Sequence, residues 1–465
     1  MRDRFVCLAR TSSGFPACAL FVAIACASTA QAAPVALDSF NVNLHDASVS
    51  GISSGGYMAQ QFHVAYSGLL RGAGIVAGGP YYCAKGNVAT ALTDCTTPTA
   101  ANPPDVGYSI RATESNAAQA TIDAPGNLLH SKVWLFSGSN DQTVYPIVMD
   151  RLFEYYLHYV TPANVVYEKT VPAAHSMVTD DYGFACDHKG DSNNPADNYI
   201  NNCGYDAAGK LLAHIYGPLN PPATALGGAF VEFRQDEFIA APTSHSMNAT
   251  GYAYVPAECD DGAQCKVHVA FHGCLQYPAR IGDAFYRHAG YNKWADTNRI
   301  IVLYPQADAS ALPPVYNPKG CWDWWGYDDA NYANQNGRQM RAVKLMLDRV
   351  AAGYDAAPPA PPTALRTTAV TDHTVSIAWT ASRGPRLATY RVYYAAGTSG
   401  QYVLAGTTDQ GSAVVSGLAS GTPYSFVVRA FNRRAVESVN SNQTAATTTG
   451  LPSLVPPNAV TLMLP

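Results

Sequence analysis

A serine set among glycines, an aspartate after one apolar run and a histidine after another are the residues best suited to chemistry in this chain. Gly51-Ile52-Ser53-Ser54-Gly55 fits G-x-S-x-G, a pattern whose glycines permit the sharp strand-to-helix turn that exposes a serine oxygen. A hydroxyl is a weak nucleophile, so it needs a base, and the base needs an acid to orient it. Asp141 follows "KVWLFSGSN" and His175 stands in "PAAHSM". Ser53 is expected to be the nucleophile, Asp141 the orienting acid and His175 the base of an acyl-transfer site. Its reaction would be attack on a carbonyl, formation of an acyl-enzyme and release by water.

These residues must be held by regular elements, and the flanking patterns supply them. "DASVS" reads as a strand into Ser53, and "GYMAQQFHVAYS" as a helix after it, with Met58, Phe62 and Tyr66 spaced at four. "KVWLF" reads as a strand leading to Asp141, "PIVMDRLFEYYLHYV" as an amphipathic helix, and "NVVYEKTV" as a strand leading to His175. Strand–Ser–helix, strand–Asp, helix, strand–His is the chain order of the α/β-hydrolase triad. His130, His158 and His188 read as structural, and Asp180 and Asp181 would reverse the Asp-before-His order. An oxyanion loop is missing before Ser53. It comes later, where "CKVHVAFHGCLQ" (265–276) reads as a strand ending in His272-Gly273-Cys274. "RHAGYNKWADTN", "RIIVLYPQA" and "RQMRAVKLMLDRVAAGY" follow as helix, strand and helix. In an ordinary hydrolase that last helix would run into the serine strand. The expected fold class is therefore α/β, a circularly permuted α/β-hydrolase domain, an arrangement tolerated when chain ends lie close together.

Composition bounds the rest. Charged residues make up 14% of the 465 residues and the net charge is -5, which with no basic run excludes nucleic acid as a partner. Arg2, Arg4 and Arg10 precede the short apolar run "ACALFVAIACA" and the small-residue site Ala30-Gln31-Ala32, the pattern of a signal peptide over 1–32. The expectation is a secreted protein, extracellular or periplasmic, with no membrane anchor and acting as a monomer. Of the 11 cysteines, Cys7, Cys18 and Cys26 fall in the leader. The others suggest disulfides between neighbours, Cys83/Cys95, Cys186/Cys203, Cys259/Cys265 and Cys274/Cys321. A catalytic domain over 33–355 is expected to end at a proline-rich linker, 356–362. Short alternating strands follow over 363–449, then a tail over 450–465. No His/Cys/carboxylate group has metal-ligand spacing, so no metal and no cofactor are expected.

Trp379 in "VSIAWTA", "YRVYY" (390–394) and "LASGTPYSFVVRAFN" (418–432) resemble a fibronectin type III domain, in which the Trp packs in the core and Tyr424 would form the tyrosine corner. Upstream, "SGISSGGYMA", "GSNDQTV", "AAHSM", "FHGCLQ", "VLYPQA" and "GCWDWWGY" closely resemble the extracellular polyhydroxyalkanoate depolymerases with the permuted, type 2 catalytic domain. That resemblance implies a polyester polymer or hydroxyacid oligomer as substrate. It also implies an oxyanion hole from the backbone N–H groups of Ser54 and Cys274, and Trp322 as a substrate-binding residue. Such depolymerases usually end in a polymer-adsorbing domain that no segment here matches, which leaves amorphous polymer and soluble oligomers in view. The competing readings are a feruloyl or acetyl-xylan esterase, which shares the "HGC" and "CW-W" features but keeps the unpermuted order, and a non-catalytic adhesion module.

Overall fold

The computed structural model describes residues 34–465 apart from 312, 314, 354–357, 383–388, 398–399, 432–436, 452–459 and 464–465. The expected signal peptide, the first residues of the expected linker and part of the expected tail lie outside the described residues.

Apolar runs rich in Val and Ile form the strands of the larger region. These are β1 (Val42–Ile52), β2 (Leu70–Val76), β3 (Lys132–Phe136) and β4 (Val165–Glu168). Then come β5 (Met177–Thr179), β6 (Phe184–Ala185) and β7 (Ile200–Asn202), and after them β8 (Ala229–Arg234), β9 (Thr250–Val255), β10 (Cys265–Phe271) and β11 (Ile300–Tyr304). Eight of them build one sheet in the order β4-β3-β2-β1-β10-β11-β9-β8, and β5-β7-β6 form a small separate sheet. From β4 to β11 every pairing in the large sheet is parallel, whereas β9 and β8 run antiparallel at one edge.

A sheet that is mostly parallel must be covered on both faces. The burial follows this rule, since β11 is buried at every residue and β10 at all but one. Alternate side chains enter opposite layers: Val267, Val269 and Phe271 join Phe62 and Met346 on one side, while Ala270 and Val302 join Leu211 and Tyr291 on the other. His268 also enters that second side, fully buried and satisfied by Ser48 Oγ at Nδ1 and Ser50 Oγ at Nε2, each 2.7 Å away.

Register brings the chemistry together. Gly51 lies beside Phe271 of β10 and Ile75 of β2, so the turns after β1 and β10 emerge side by side. The loops after β3 and β4 carry Asp141 and His175 beyond the same ends of the sheet. This is where open α/β sheets place their ligand crevices. The helix after β1, Ser54–Ala65, is buried along its whole length. The spacing of Met58, Phe62 and Tyr66 predicts burial of one face only. The polar faces are covered too, with Gln61 Nε2 donating to the carbonyls of Asp323 (2.8 Å) and Tyr332 (3.0 Å).

The C-terminal strands are β12 (Thr363–Val370), β13 (Thr374–Thr380), β14 (Thr389–Ala396), β15 (Val403–Thr408), β16 (Ser412–Ser416), β17 (Pro423–Phe431), β18 (Thr444–Thr447) and β19 (Thr461–Met463). They form two four-stranded sheets, β12-β13-β16-β19 and β15-β14-β17-β18. Trp379 is buried edge-on to Tyr390, and the Tyr424 hydroxyl accepts the Ala419 N–H at 2.9 Å, the tyrosine-corner contact. One finding adds to the reading of 450–465 as a tail: Thr461–Met463 pairs antiparallel with β16 and forms that sheet's edge strand.

All four expected disulfides are present: Cys83–Cys95, Cys186–Cys203, Cys259–Cys265 and Cys274–Cys321. Among the described residues no helix is long and apolar enough to cross a membrane.

Candidate active site

Ser53 follows β1 at the N-cap of the helix Ser54–Ala65, with φ 56° and ψ -123°. That backbone state is strained for a non-glycine residue and recurs where a site demands it. A serine at an N-cap ordinarily bonds the helix's first N–H groups, yet Ser53 makes no side-chain cap bond. Glycine is obligatory on both sides of the turn. A Cβ on Gly51 would stand 2.2 Å from the Gly55 carbonyl oxygen, and one on Gly55 would stand 2.3 Å from that of Phe271.

His175 and Asp141 meet behind this turn. His175 Nδ1 lies 2.8 Å from Asp141 Oδ2, and both residues are buried. The other carboxyl oxygen, Oδ1, accepts the N–H groups of Thr143 (2.8 Å) and Val144 (2.9 Å). A carboxylate so engaged acts as an acceptor toward the imidazole, which puts the ring proton on Nδ1 and leaves Nε2 with a lone pair. The two loops are laced together. Ser139 N–H donates to Val171 O (2.9 Å) and Asn140 N–H to Ala173 O (3.1 Å), and the His175 loop is further tied to the segment after β6 by Ala174 N–H to Cys186 O (3.0 Å). The competing acids lie elsewhere, since Asp180 and Asp181 both pair with Lys293. His188 binds Asp197 instead.

Ser53, Ser54, His175, Gly273 and Cys274 all line one cavity of about 630 Å³. Ser54 N–H is the first of a helix and has no intrahelical acceptor, and Cys274 N–H has no bond among the described residues. Two side chains that sequence reasoning left unassigned hold the second loop. Gln276 Oε1 accepts the Gly273 N–H at 2.7 Å, while its Nε2 donates to Asn198 O (2.8 Å) and Tyr199 O (3.2 Å). His272, fully buried, donates from Nδ1 to Gly273 O (2.7 Å) and accepts the Ala307 N–H at Nε2 (3.1 Å). Burial lowers its pKa to about 4, so the ring is neutral and both bonds persist at neutral pH. The signal for Gln276 was in plain sight in "FHGCLQ", one short turn beyond the glycine it binds.

Trp322 requires a correction. It is wholly buried, packed against Phe271 and His272 with ring centroids at 5.1 and 5.6 Å, and it is not part of the cavity wall. The cavity is walled instead by Trp324 and Trp325. Trp324 stacks on Tyr57 of the Ser54–Ala65 helix at 4.0 Å and meets Trp325 edge-on. Crowding alone did not reveal which tryptophan the loop turns outward. That loop is wound around Asp323, whose oxygens accept four N–H groups, from Gly326 (2.7 Å), Tyr327 (3.0 Å), Asp328 (3.1 Å) and Asp329 (3.1 Å). Burial pushes the Asp323 carboxyl up to about 7, against the pull of those donors.

Comparison with known proteins agrees with this architecture. The chain is 43% identical over 420 residues to "Poly(3-hydroxybutyrate) depolymerase" of Delftia acidovorans, covering 88% of this chain and 80% of that one. It is 40% identical over 340 residues to "Polyhydroxybutyrate depolymerase" of Talaromyces funiculosus, covering 70% of this chain and 95% of that one. The chain belongs to the polyhydroxybutyrate depolymerases. The family is one of carboxylic ester hydrolases, and its fold is of the α/β-hydrolase type. A solved PHB depolymerase complexed with an R3HB trimer superposes with a TM-score of 0.62 at 38% identity, covering 69% of this chain and all of that one. The same values hold for the crystal structure of PHB depolymerase from Penicillium funiculosum. Residues 360–447 match the profile of the fibronectin type III domain.

Proposed function

We propose that this chain is a secreted serine esterase that hydrolyses the ester bonds of poly(3-hydroxybutyrate), a related aliphatic polyester or its oligomers, acting as a monomer. The observation that carries the reading is the 2.8 Å His175–Asp141 pair opening on the cavity that also holds Ser53 on its strained turn. Ser53 Oγ attacks the ester carbonyl and His175 Nε2 takes its proton. The backbone N–H groups of Ser54 and Cys274 receive the developing oxyanion, an effect worth about 2.7–4 kcal/mol for a donor of this kind. His175 then returns the proton to the departing alcohol oxygen. Water, deprotonated by the same imidazole, cleaves the acyl-enzyme to a free hydroxyacid carboxylate and restores the serine.

Permutation of the catalytic region is part of the proposal. With β8 as first strand, the order β8-β9-β11-β10-β1-β2-β3-β4 reads as an antiparallel edge followed by a parallel run. In that reading the oxyanion loop follows the third strand in the chain and the serine turn the fifth. The chain start would then fall between the helix Arg338–Val350 and β1. Phe40 N–H bonds to Val350 O at 2.8 Å, and this closeness supports the reading. The proposed organisation is a leader over 1–32, catalytic domain over 33–355, linker over 356–362 and sandwich from 363. Clearing of a poly(3-hydroxybutyrate) emulsion, compared with aryl release from a feruloylated sugar, tests the substrate class. Clearing without aryl release supports it, and the reverse overturns it.

A further inference from the structure

The cavity that holds Ser53 and His175 is lined by two lysines, Lys189 and Lys319, and by no aspartate or glutamate among the described residues. In a chain of net charge -5 this is a local reversal of sign. Both lysines are exposed at the cavity mouth, and neither forms an ion pair with a described residue. Lys189 Nζ donates only to a neutral group, Gln142 Oε1, at 3.1 Å. Asp187 and Asp191 flank Lys189 in the chain, yet neither lines the cavity.

Their backbones are braced against the oxyanion loop. Lys319 O accepts the Leu275 N–H at 2.7 Å, and two residues on, Cys321 is bonded to Cys274. Lys189 lies within the loop closed by Cys186–Cys203. There Asn201 Nδ2 holds His188 O at 2.9 Å, and Gln276 Nε2 holds Asn198 O at 2.8 Å. Both positive charges are thus carried on backbone held at set places around the reacting centre.

A neutral polyester offers a cation little to bind. The one charged group on such a chain is the carboxylate at its acid end, and each cut makes another. We propose that Lys189 and Lys319 form a recognition site for the free carboxylate of a hydroxyacid chain, favouring cleavage near the acid end of short substrates. The acid end lies on the alcohol side of the scissile ester, so the site holds the fragment that leaves first. This inference rests on the ester-hydrolase reading above.

The test compares a 3-hydroxybutyrate trimer with a free carboxylate against its methyl ester, in the native protein and in Lys189→Gln/Lys319→Gln. The native protein should show the lower KM for the free acid. Each lysine removed should raise that KM roughly 2- to 5-fold, the range of screened surface ion pairs, and leave the methyl ester and p-nitrophenyl butyrate unchanged. Lys319→Arg should retain the preference, and added salt should weaken it only for the acid. Equal KM values for acid and ester in the native protein would overturn the site, as would a preference that survives in the double variant. Calorimetric binding of the trimer acid to Ser53→Ala, with and without the two lysines, reads the site without turnover. A failure of the hydrolase reading is thereby distinguished from a failure of carboxylate recognition.

Discussion

Replacing both Cys274 and Cys321 with serine should lower turnover at temperatures where the fold survives. The bond spans 47 residues, and chain-entropy reasoning gives it about 4 kcal/mol of stability. At about 1.5 °C per kcal/mol for a domain of this size, the melting temperature should fall by roughly 6 °C. The catalytic consequence is separate, because Cys274 would present an oxyanion donor and Cys321 begins the segment that carries the tryptophan wall. Removing a donor outright costs about 10²–10³ in kcat. The loop here keeps other tethers: Leu275 N–H to Lys319 O, Gln276 to Gly273 N–H, and Asn317, which bonds both the N–H (3.1 Å) and the carbonyl (2.7 Å) of Cys321. The donor is loosened rather than lost, and the expected fall in kcat is about tenfold, or about 1.4 kcal/mol of barrier. Steady-state hydrolysis of p-nitrophenyl butyrate, well below the variant's own melting temperature, reads this directly. Unchanged kcat beside a lowered melting temperature would refute the coupling of this bond to catalysis.

Asp141→Asn should keep the fold and lose about 10⁴ in kcat, because an amide no longer holds the imidazole in the tautomer that accepts from serine; near-native activity would contradict the orienting role. Gln276→Met leaves the buried Gly273 N–H without its acceptor, at about 1–3 kcal/mol. It should reduce kcat with little change in KM; an unchanged kcat in the folded variant would refute positioning by that bond. Burial holds His63 and His268 at about 3 and His272 at about 4, against an ordinary 6.5, so the unfolded chain takes up protons first as pH falls. Their stabilising effect is full above pH 6.5 and is lost toward pH 3–4, each giving up to about 1.4 kcal/mol per pH unit. Asp323, raised to about 7, and Asp206 and Asp308, also raised by burial, oppose this, whereas His214, lowered by burial, adds to it; the imidazoles outnumber the carboxyls, so stability should rise between roughly pH 4.5 and 6. Urea midpoints that do not rise over this interval would contradict the neutral, buried state of these rings.

Much of the fold was legible because apolar runs bounded by turn residues leave few choices. The strands into Ser53, Asp141 and His272 and the helices Pro146–Tyr159 and Arg338–Val350 all lie where periodicity predicts them. Less legible were β5 to β7, strands of two or three residues in an Asn- and Asp-rich stretch too short for any alternation to register. The full burial of the helix Ser54–Ala65 was hidden for a different reason. Gln61 and His63 look like solvent-facing positions, and their partners, Asp323, Tyr332 and Tyr156, are remote in the chain. At the site, residue types and order brought Ser53, Asp141 and His175 to attention; Ser53 and His175 line one cavity, and Asp141 stands behind it, bonded to His175. The tryptophans were a harder problem, since three aromatic residues within four positions differ only in how the chain winds around Asp323.

The measurement closest to the central claim is hydrolysis of a poly(3-hydroxybutyrate) emulsion and of a soluble ester by Ser53→Ala beside Ser54→Ala, each checked for fold by circular dichroism. In the proposed mechanism Ser53 supplies the attacking oxygen and Ser54 only its backbone N–H, while the Ser54 hydroxyl merely accepts a long bond from the Trp322 N–H (3.4 Å), so the first change should abolish turnover and the second should be much milder. Full activity in Ser53→Ala, or equal loss in two folded variants, would contradict the account.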